Sequence, residues 1–227
     1  MKWLLWREYR LNLLILGVAA FLLVVPYAIA LIAVCVVRMN PPRYVAPWAM
    51  ALGGAACYSV ILNQLTFALL GGNAFAGERA DGSAEFMAYL PVSRGRRVVS
   101  KLILVLITGL VIWGFNAAVV ALIWPHLNHR EIGDAAFACF FIVITGLAFY
   151  CVGWLVSSIQ PTPTFAVAAA LIAPFLLVLT LQFFAWWLSW EGLGQRGVAV
   201  GYAIGCVLMA LVSFPIGTGY YLGRIEP

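Results

Sequence analysis

His126 and His129 are the only histidines in the chain, three residues apart, with Glu131 and Asp134 just beyond. Two imidazoles at that spacing beside carboxylates can touch a metal ion, but a closed site takes three or four ligands in fixed geometry. The segment therefore reads as a solvated loop rather than a metal site, and no metal is expected. Cys35, Cys57, Cys139, Cys151 and Cys206 lie in apolar stretches without a CxxC pair, so they read as small fillers rather than ligands or disulfide partners. The densest run of ionisable groups lies between Glu78 and Lys101, with Arg79, Asp81, Glu85, Arg94, Arg96 and Arg97 between them. None of these groups falls in a Gly-rich phosphate cradle. GxxxxGK[ST] is absent and the only lysines are Lys2 and Lys101, so this chain has no P-loop and any ATP chemistry belongs to another polypeptide.

The elements that must position these residues follow from composition. Of 227 residues, 65% are apolar and 9% are charged, against about 25% charged in an ordinary soluble domain. That balance excludes a soluble globular fold, disorder, a disulfide scaffold and a coiled coil. It also excludes a transmembrane barrel, whose strands alternate polar and apolar residues over segments of about ten. Six stretches carry no Asp, Glu, Lys, Arg or His: residues 11–37, 46–70, 102–124, 135–156, 165–188 and 198–222. A helix needs about 20 apolar residues to cross the hydrocarbon core, so an all-α membrane protein with six transmembrane helices in one transmembrane domain is expected. The first stretch follows basic residues and contains Ala28, Ile29 and Ala30 like a cleavage site, but it is too long for a signal peptide and holds Pro26. It is read as a span.

Lys and Arg place the loops. Lys2, Arg7, Arg10, Arg79, Arg94, Arg96, Arg97, Lys101 and Arg224 fall on one side, and only Arg38, Arg43, Arg130 and Arg196 on the other. The positive-inside rule then puts both termini and the 71–101 loop in the cytoplasm. The net charge of +5 is a topology and lipid-contact signal, and no nucleic-acid partner is implied. The absence of charge in the spans argues against an ion-coupled carrier and against intramembrane proteases, which need buried carboxylates, metal ligands or a serine–histidine pair. Asn63, Gln64 and Thr66 in the second span and Asn116 in the third are the main polar residues left. They read either as helix-to-helix hydrogen bonding or as an uncharged translocation wall. Pro26, Pro174 and Pro215 can kink their helices, and Gly201 with Gly205 suits close packing.

Within the 71–101 loop, Asp81 or Gly82 can cap a short helix that Pro91 ends. Phe86, Tyr89 and Leu90 share one face of it, with Glu78, Arg79 and Glu85 nearby. This is a docking element for a partner or a helix resting on lipid headgroups.

The order of residues goes further. Phe75, Glu78-Arg79, Gly82 and Glu85, then Leu90-Pro91-Val92-Ser93-Arg94, and Lys101 at the head of span three resemble the ABC-2 type permeases, the membrane subunits of one class of ABC exporters. The resemblance covers roughly 27 residues and is supported by the six spans and an amphipathic lead-in bearing Trp3, Trp6 and Tyr9. Ser83 stands where that family has Thr, and Phe86 and Met87 replace leucines. Family members often carry a re-entrant hairpin between spans five and six; here only 183–197, with Trp186, Trp187 and Trp190, could supply it, and an aromatic belt is the other reading.

The resemblance implies an N-terminal interfacial helix and a coupling helix between spans two and three. It implies that Glu78, Arg79, Gly82, Glu85, Phe86, Tyr89, Pro91 and Arg94 contact a separate ABC ATPase subunit, which binds ATP and Mg while this chain holds no cofactor. A second permease subunit, identical or paralogous, and membrane lipid complete the partners in a bacterial-type inner membrane. An uncharged wall suggests an apolar or amphipathic substrate. The rival reading is a membrane scaffold whose loop docks a different partner.

Overall fold

With no water in the bilayer core to take backbone hydrogen bonds, an apolar run must close its own, and here every long run does so as a helix. The computed structural model describes residues 2–38, 47–83, 85, 89, 92–124, 129–187 and 195–223. Its elements are α1 (Lys2–Leu11), α2 (Leu13–Arg38), α3 (Pro47–Leu62), α4 (Gln64–Asn73), α5 (Ala76–Ala80), α6 (Arg94–Ile123), α7 (His129–Ile159), α8 (Pro163–Trp187) and α9 (Gln195–Gly223), and there is no strand among the described residues. Among the described residues six helical spans are long and apolar enough to cross a membrane. Their outward faces are apolar, as at Leu14, Leu110 and Leu122, which suits lipid as the surrounding solvent.

Two departures from the charge-free stretches matter. The third span begins at Arg94 rather than near residue 102, so Arg97 and Lys101 become part of a membrane helix and are buried. The second span is interrupted at Asn63, which separates α3 from α4. Of the segment expected to be helical between Asp81 and Pro91, Asp81 Oδ1 accepts from the Ser83 amide at 2.9 Å and Ser83 and Glu85 have helical backbone, while 84, 86–88, 90 and 91 lie outside the described residues. Gly82 has φ +73, a left-handed conformation that a side chain would strain. Of the 183–197 segment, Phe183–Trp187 simply continue α8, Gln195 opens α9, and 188–194 lie outside the described residues.

The helices pack as two unequal groups. α4 lies on α7 and α8, and α9 lies along α7, while α3 lies on α2 and α6, with α1 against α6. The α4–α7–α8 crossing is made by glycine: a methyl group at Gly71 or Gly72 would run into the backbone of Tyr150 or Val167, and one at Gly153 would meet the Gly72 nitrogen at 2.8 Å. A methyl group at Gly217 of α9 would likewise meet the Leu155 Cα at 2.9 Å. Aromatic rings fill the core beside these crossings. Phe75 stacks on Tyr221 at 4.1 Å and meets Trp154 edge-on at 4.5 Å, while Trp154 Nε1 donates to Thr218 at 3.1 Å.

Candidate functional site

The charged residues of the 71–101 loop do not all face outward. Asn73 ends α4, and the chain turns through Ala74 and Phe75 into the single turn of α5. That turn points Glu78 inward, where it is 5% exposed. α1 lies on α6, and so brings Arg7 and the buried Glu8 to the same place as Lys101. Four charges meet there. Lys101 Nζ donates to Glu8 Oε2 and to Glu78 Oε1, both at 3.0 Å, and Arg7 donates to Glu78 Oε1 at 3.0 Å and to Ser83 Oγ at 3.0 Å. Lys101 also lies 5.8 Å from the centre of the Phe75 ring.

The two carboxyls respond differently. Burial pushes Glu78 up, but Lys101 and Arg7 together outweigh it and hold the group below the usual carboxylate value of 4.5. For Glu8 burial wins: Lys101 and Arg7 only partly offset it, Glu78 adds repulsion, and the carboxyl sits above 4.5. Glu8 Oε1 makes no hydrogen bond and has Arg7 at 3.6 Å. The cluster borders a cavity of about 350 Å³ whose walls include Asn12, Asn73, Asp81 and Pro163. Asn73 donates to Asn12 at 3.2 Å across it. Pairing of this kind offsets the desolvation cost of burying the charges, so the net gain in stability is small.

Two further arginines of the loop act as struts. Arg79 donates to the Ser157 and Ser158 carbonyls at the end of α7, which lack helical partners there. Arg94 reaches the Tyr221 and Leu222 carbonyls at the end of α9 at 3.4 Å. Gly82, Glu85 and Tyr89 are exposed, Tyr89 at 88%. The loop thus has an anchored side, with Glu78, Arg79 and Arg94, and a free side, with Glu85 and Tyr89. Phe86 and Pro91, expected on the free side, lie outside the described residues.

The residues expected on a translocation wall are all buried within the chain. Asn63 donates to the Ser59 carbonyl at 2.9 Å and accepts from Thr66 at 3.2 Å; Gln64 donates to the Val60 carbonyl at 3.0 Å. Asn116 accepts from Tyr27 OH at 2.7 Å. His126 lies outside the described residues; His129 opens α7, and nothing is described of its side chain. Among the described residues no three His, Cys, Asp or Glu come together as metal ligands.

Sequence reasoning missed Arg7 and Glu8. One signal was present: Glu8 is the single carboxylate before Glu78, placed among aromatic and basic residues of a short amphipathic segment. A lone acid in such a helix needs a partner, and the nearest lysine with a buried address is Lys101.

Comparison with known proteins agrees with the motif. Residues 6–177 match the family described as ABC-2 family transporter protein. No curated protein and no solved structure matches.

Proposed function

Since the chain belongs to the ABC-2 family of transporter proteins, we propose that it is the permease subunit of an ATP-driven exporter, coupled through the 71–101 loop to a separate ATPase subunit. The observation that carries this reading is the two-sidedness of the loop. Glu78, Arg79 and Arg94 tie it to α1, α6, α7 and α9, while Glu85 and Tyr89 stand free at its surface. An element fixed to several spans by charged hydrogen bonds moves them when it is pushed. An exposed aromatic with a neighbouring carboxylate is the kind of surface a protein partner grips.

In this mechanism ATP and Mg bind in the partner, and ATP-driven closure of two ATPases pushes two such loops together. Two permease subunits, identical or paralogous, flank the path. The bundle changes state only because the loop's contacts differ in free energy between its two arrangements. The loop and both termini face the cytoplasm of a bacterial-type inner membrane, as the lysine and arginine distribution supports. α1 lies in the headgroup layer: Trp3, Trp6 and Tyr9 are exposed, and Arg10 sits over Trp6 at 5.7 Å. The six charge-free stretches, with Arg97 and Lys101 outside them at the loop end of α6, favour an apolar or amphipathic substrate.

The test is Glu85→Arg combined with Phe86→Arg in the reconstituted complex. ATPase co-purification and ATP-driven turnover are expected to fall at least tenfold while the melting temperature of the permease stays put. Wild-type docking and turnover in that variant would remove the coupling assignment.

A further inference from the structure

The apolar core is divided by depth. One cluster, nearer the charged loop, joins Ile15, Phe67, Leu70, Phe75, Ile112 and Trp154, and so draws on α2, α4, α6 and α7. A second, toward the far end, joins Tyr27, Ala30, Ala55 and Ala56 with Val119 and Val120, from α2, α3 and α6 alone. Between them runs a polar layer. Along α6 the order is Ile112, then Asn116, then Val119; along span two it is Ala56, then Ser59 and Asn63, then Phe67. Tyr27 OH bonds Asn116 at 2.7 Å in that layer, and Ser59 Oγ donates to the Leu23 carbonyl at 3.4 Å.

The backbone is weakened at the same level. Span two breaks at Asn63, and the side-chain amides of Asn63 and Gln64 donate to the Ser59 and Val60 carbonyls four residues back. The Asn63 backbone N–H still donates to the Ser59 carbonyl at 3.0 Å, so its side chain adds a second bond there, while the Gln64 side chain serves the Val60 carbonyl and keeps the interruption satisfied within lipid. Pro26 withholds a donor from α2 one residue before Tyr27. On the loop side of the break α4 is locked to α7 and α8 by backbone contact at Gly71, Gly72 and Gly153. Beyond it no backbone blocks these glycines: a methyl group at Gly54 would meet nothing within 4 Å, and one at Gly53 would press at 3.3 Å on the end of the Ile123 side chain, which can move aside. Gln64 Oε1, at the break, is buried without a hydrogen-bond partner.

We propose that α3, with the far halves of α2 and α6, is a lobe that swings on the rest of the bundle about Asn63 and Pro26, and that this swing opens the far end of the path. The transport part rests on the permease reading; the joint does not. The swing brings Gln64 and its unused acceptor to the opening, so the polar residues of span two serve both as the joint and, when it opens, as wall. Asn63 is a positioning residue in this scheme: it needs no contact with substrate, only a break it can satisfy in both arrangements.

Distances between spin labels test it in the full chain, without native cysteines, in lipid nanodiscs. Labels at Leu122 on the lobe and Ile204 on α9, both exposed, report the swing; labels at Val99 and Ile159, near the loop, serve as control. A broad or two-peaked distribution is expected for the first pair and a narrow one for the second. Asn63→Leu is expected to narrow the first to one peak and leave the control unchanged, and Pro26→Ala to act the same way. A wild-type first pair as narrow as the control, or one that neither substitution alters, overturns the joint. In the complex with the ATPase, a non-hydrolysable ATP analogue is expected to shift the populations. A swing that ignores nucleotide overturns its part in transport while the joint stands.

Discussion

Glu78 and Lys101 lie 23 residues apart in sequence and meet at 3.0 Å in the interior, each side chain 6% exposed. The pair closes the charged loop on itself, since Glu78 stands near its start and Lys101 at its end. Glu8 and Arg7 then add α1 to the same knot, so one ammonium and one carboxylate hold three helices in register.

Lys101→Met leaves the buried carboxylates of Glu8 and Glu78 to share Arg7, 3.6 Å from Glu8 and 3.0 Å from Glu78, as counter-charge. Removing one partner of a buried pair costs about 3–5 kcal/mol. Glu8→Gln is expected to cost clearly less, because Lys101 keeps Glu78 and Arg7 keeps its own bond to Glu78. Thermal unfolding of both variants in the same detergent checks the order, and an equal loss would mean the cluster does not work as a unit.

The two carboxyls also predict opposite responses to acid. Glu8 sits above 4.5, so the folded protein takes up its proton more readily than the unfolded chain, and Glu8's contribution to stability rises as pH falls from neutrality toward 4.5. Glu78 sits below 4.5, so its contribution is full above that pH and is lost as pH falls through its folded value. Melting curves across pH should therefore show Glu8→Gln losing the gain on mild acidification and Glu78→Gln losing the fall below it. Parallel curves for wild type and both variants would refute the assignment.

Glycine separates the locked crossing from the lobe beyond Asn63. Gly71→Ala or Gly153→Ala pushes a methyl group into backbone that cannot turn aside, and overpacking of this kind costs about 1–3 kcal/mol. Gly54→Ala meets nothing within 4 Å and should leave stability unchanged or slightly raised, because alanine favours helix over glycine. Yield of folded monomer and melting temperature across the three variants read the contrast.

Orientation is open to a direct chemical check. In intact cells a membrane-impermeant maleimide should react with Asn128→Cys, and with Ser93→Cys only after the membrane is made leaky. Labelling of Ser93→Cys alone in intact cells would invert the topology.

The number of spans and the helical class were legible because both depend on composition along the chain: a run of about 20 apolar residues has no alternative in lipid to closing its hydrogen bonds as a helix. The loop motif from Phe75 to Lys101 was legible for a different reason, since its residue order is itself the signal, and the match over residues 6–177 agrees with it. What the loop's residues touch was not legible. Glu78 and Arg79 read from the sequence as charge on a docking surface, yet they point inward, because a single turn of helix at Ala76–Ala80 reverses which face meets the bundle. Glu8 could be paired with Lys101 only once α1 was laid on α6, 93 residues away in the chain. The break at Asn63 likewise depended on packing: Asn63 and Gln64 interrupt the span because α3 has its partners in α2 and α6, whereas α4 has its own in α7 and α8. Sequence alone determined which segments enter the membrane, since that is a local free energy of transfer. Tertiary structure decided which charges are buried together and where the bundle can bend, since both depend on contacts between segments distant in the chain.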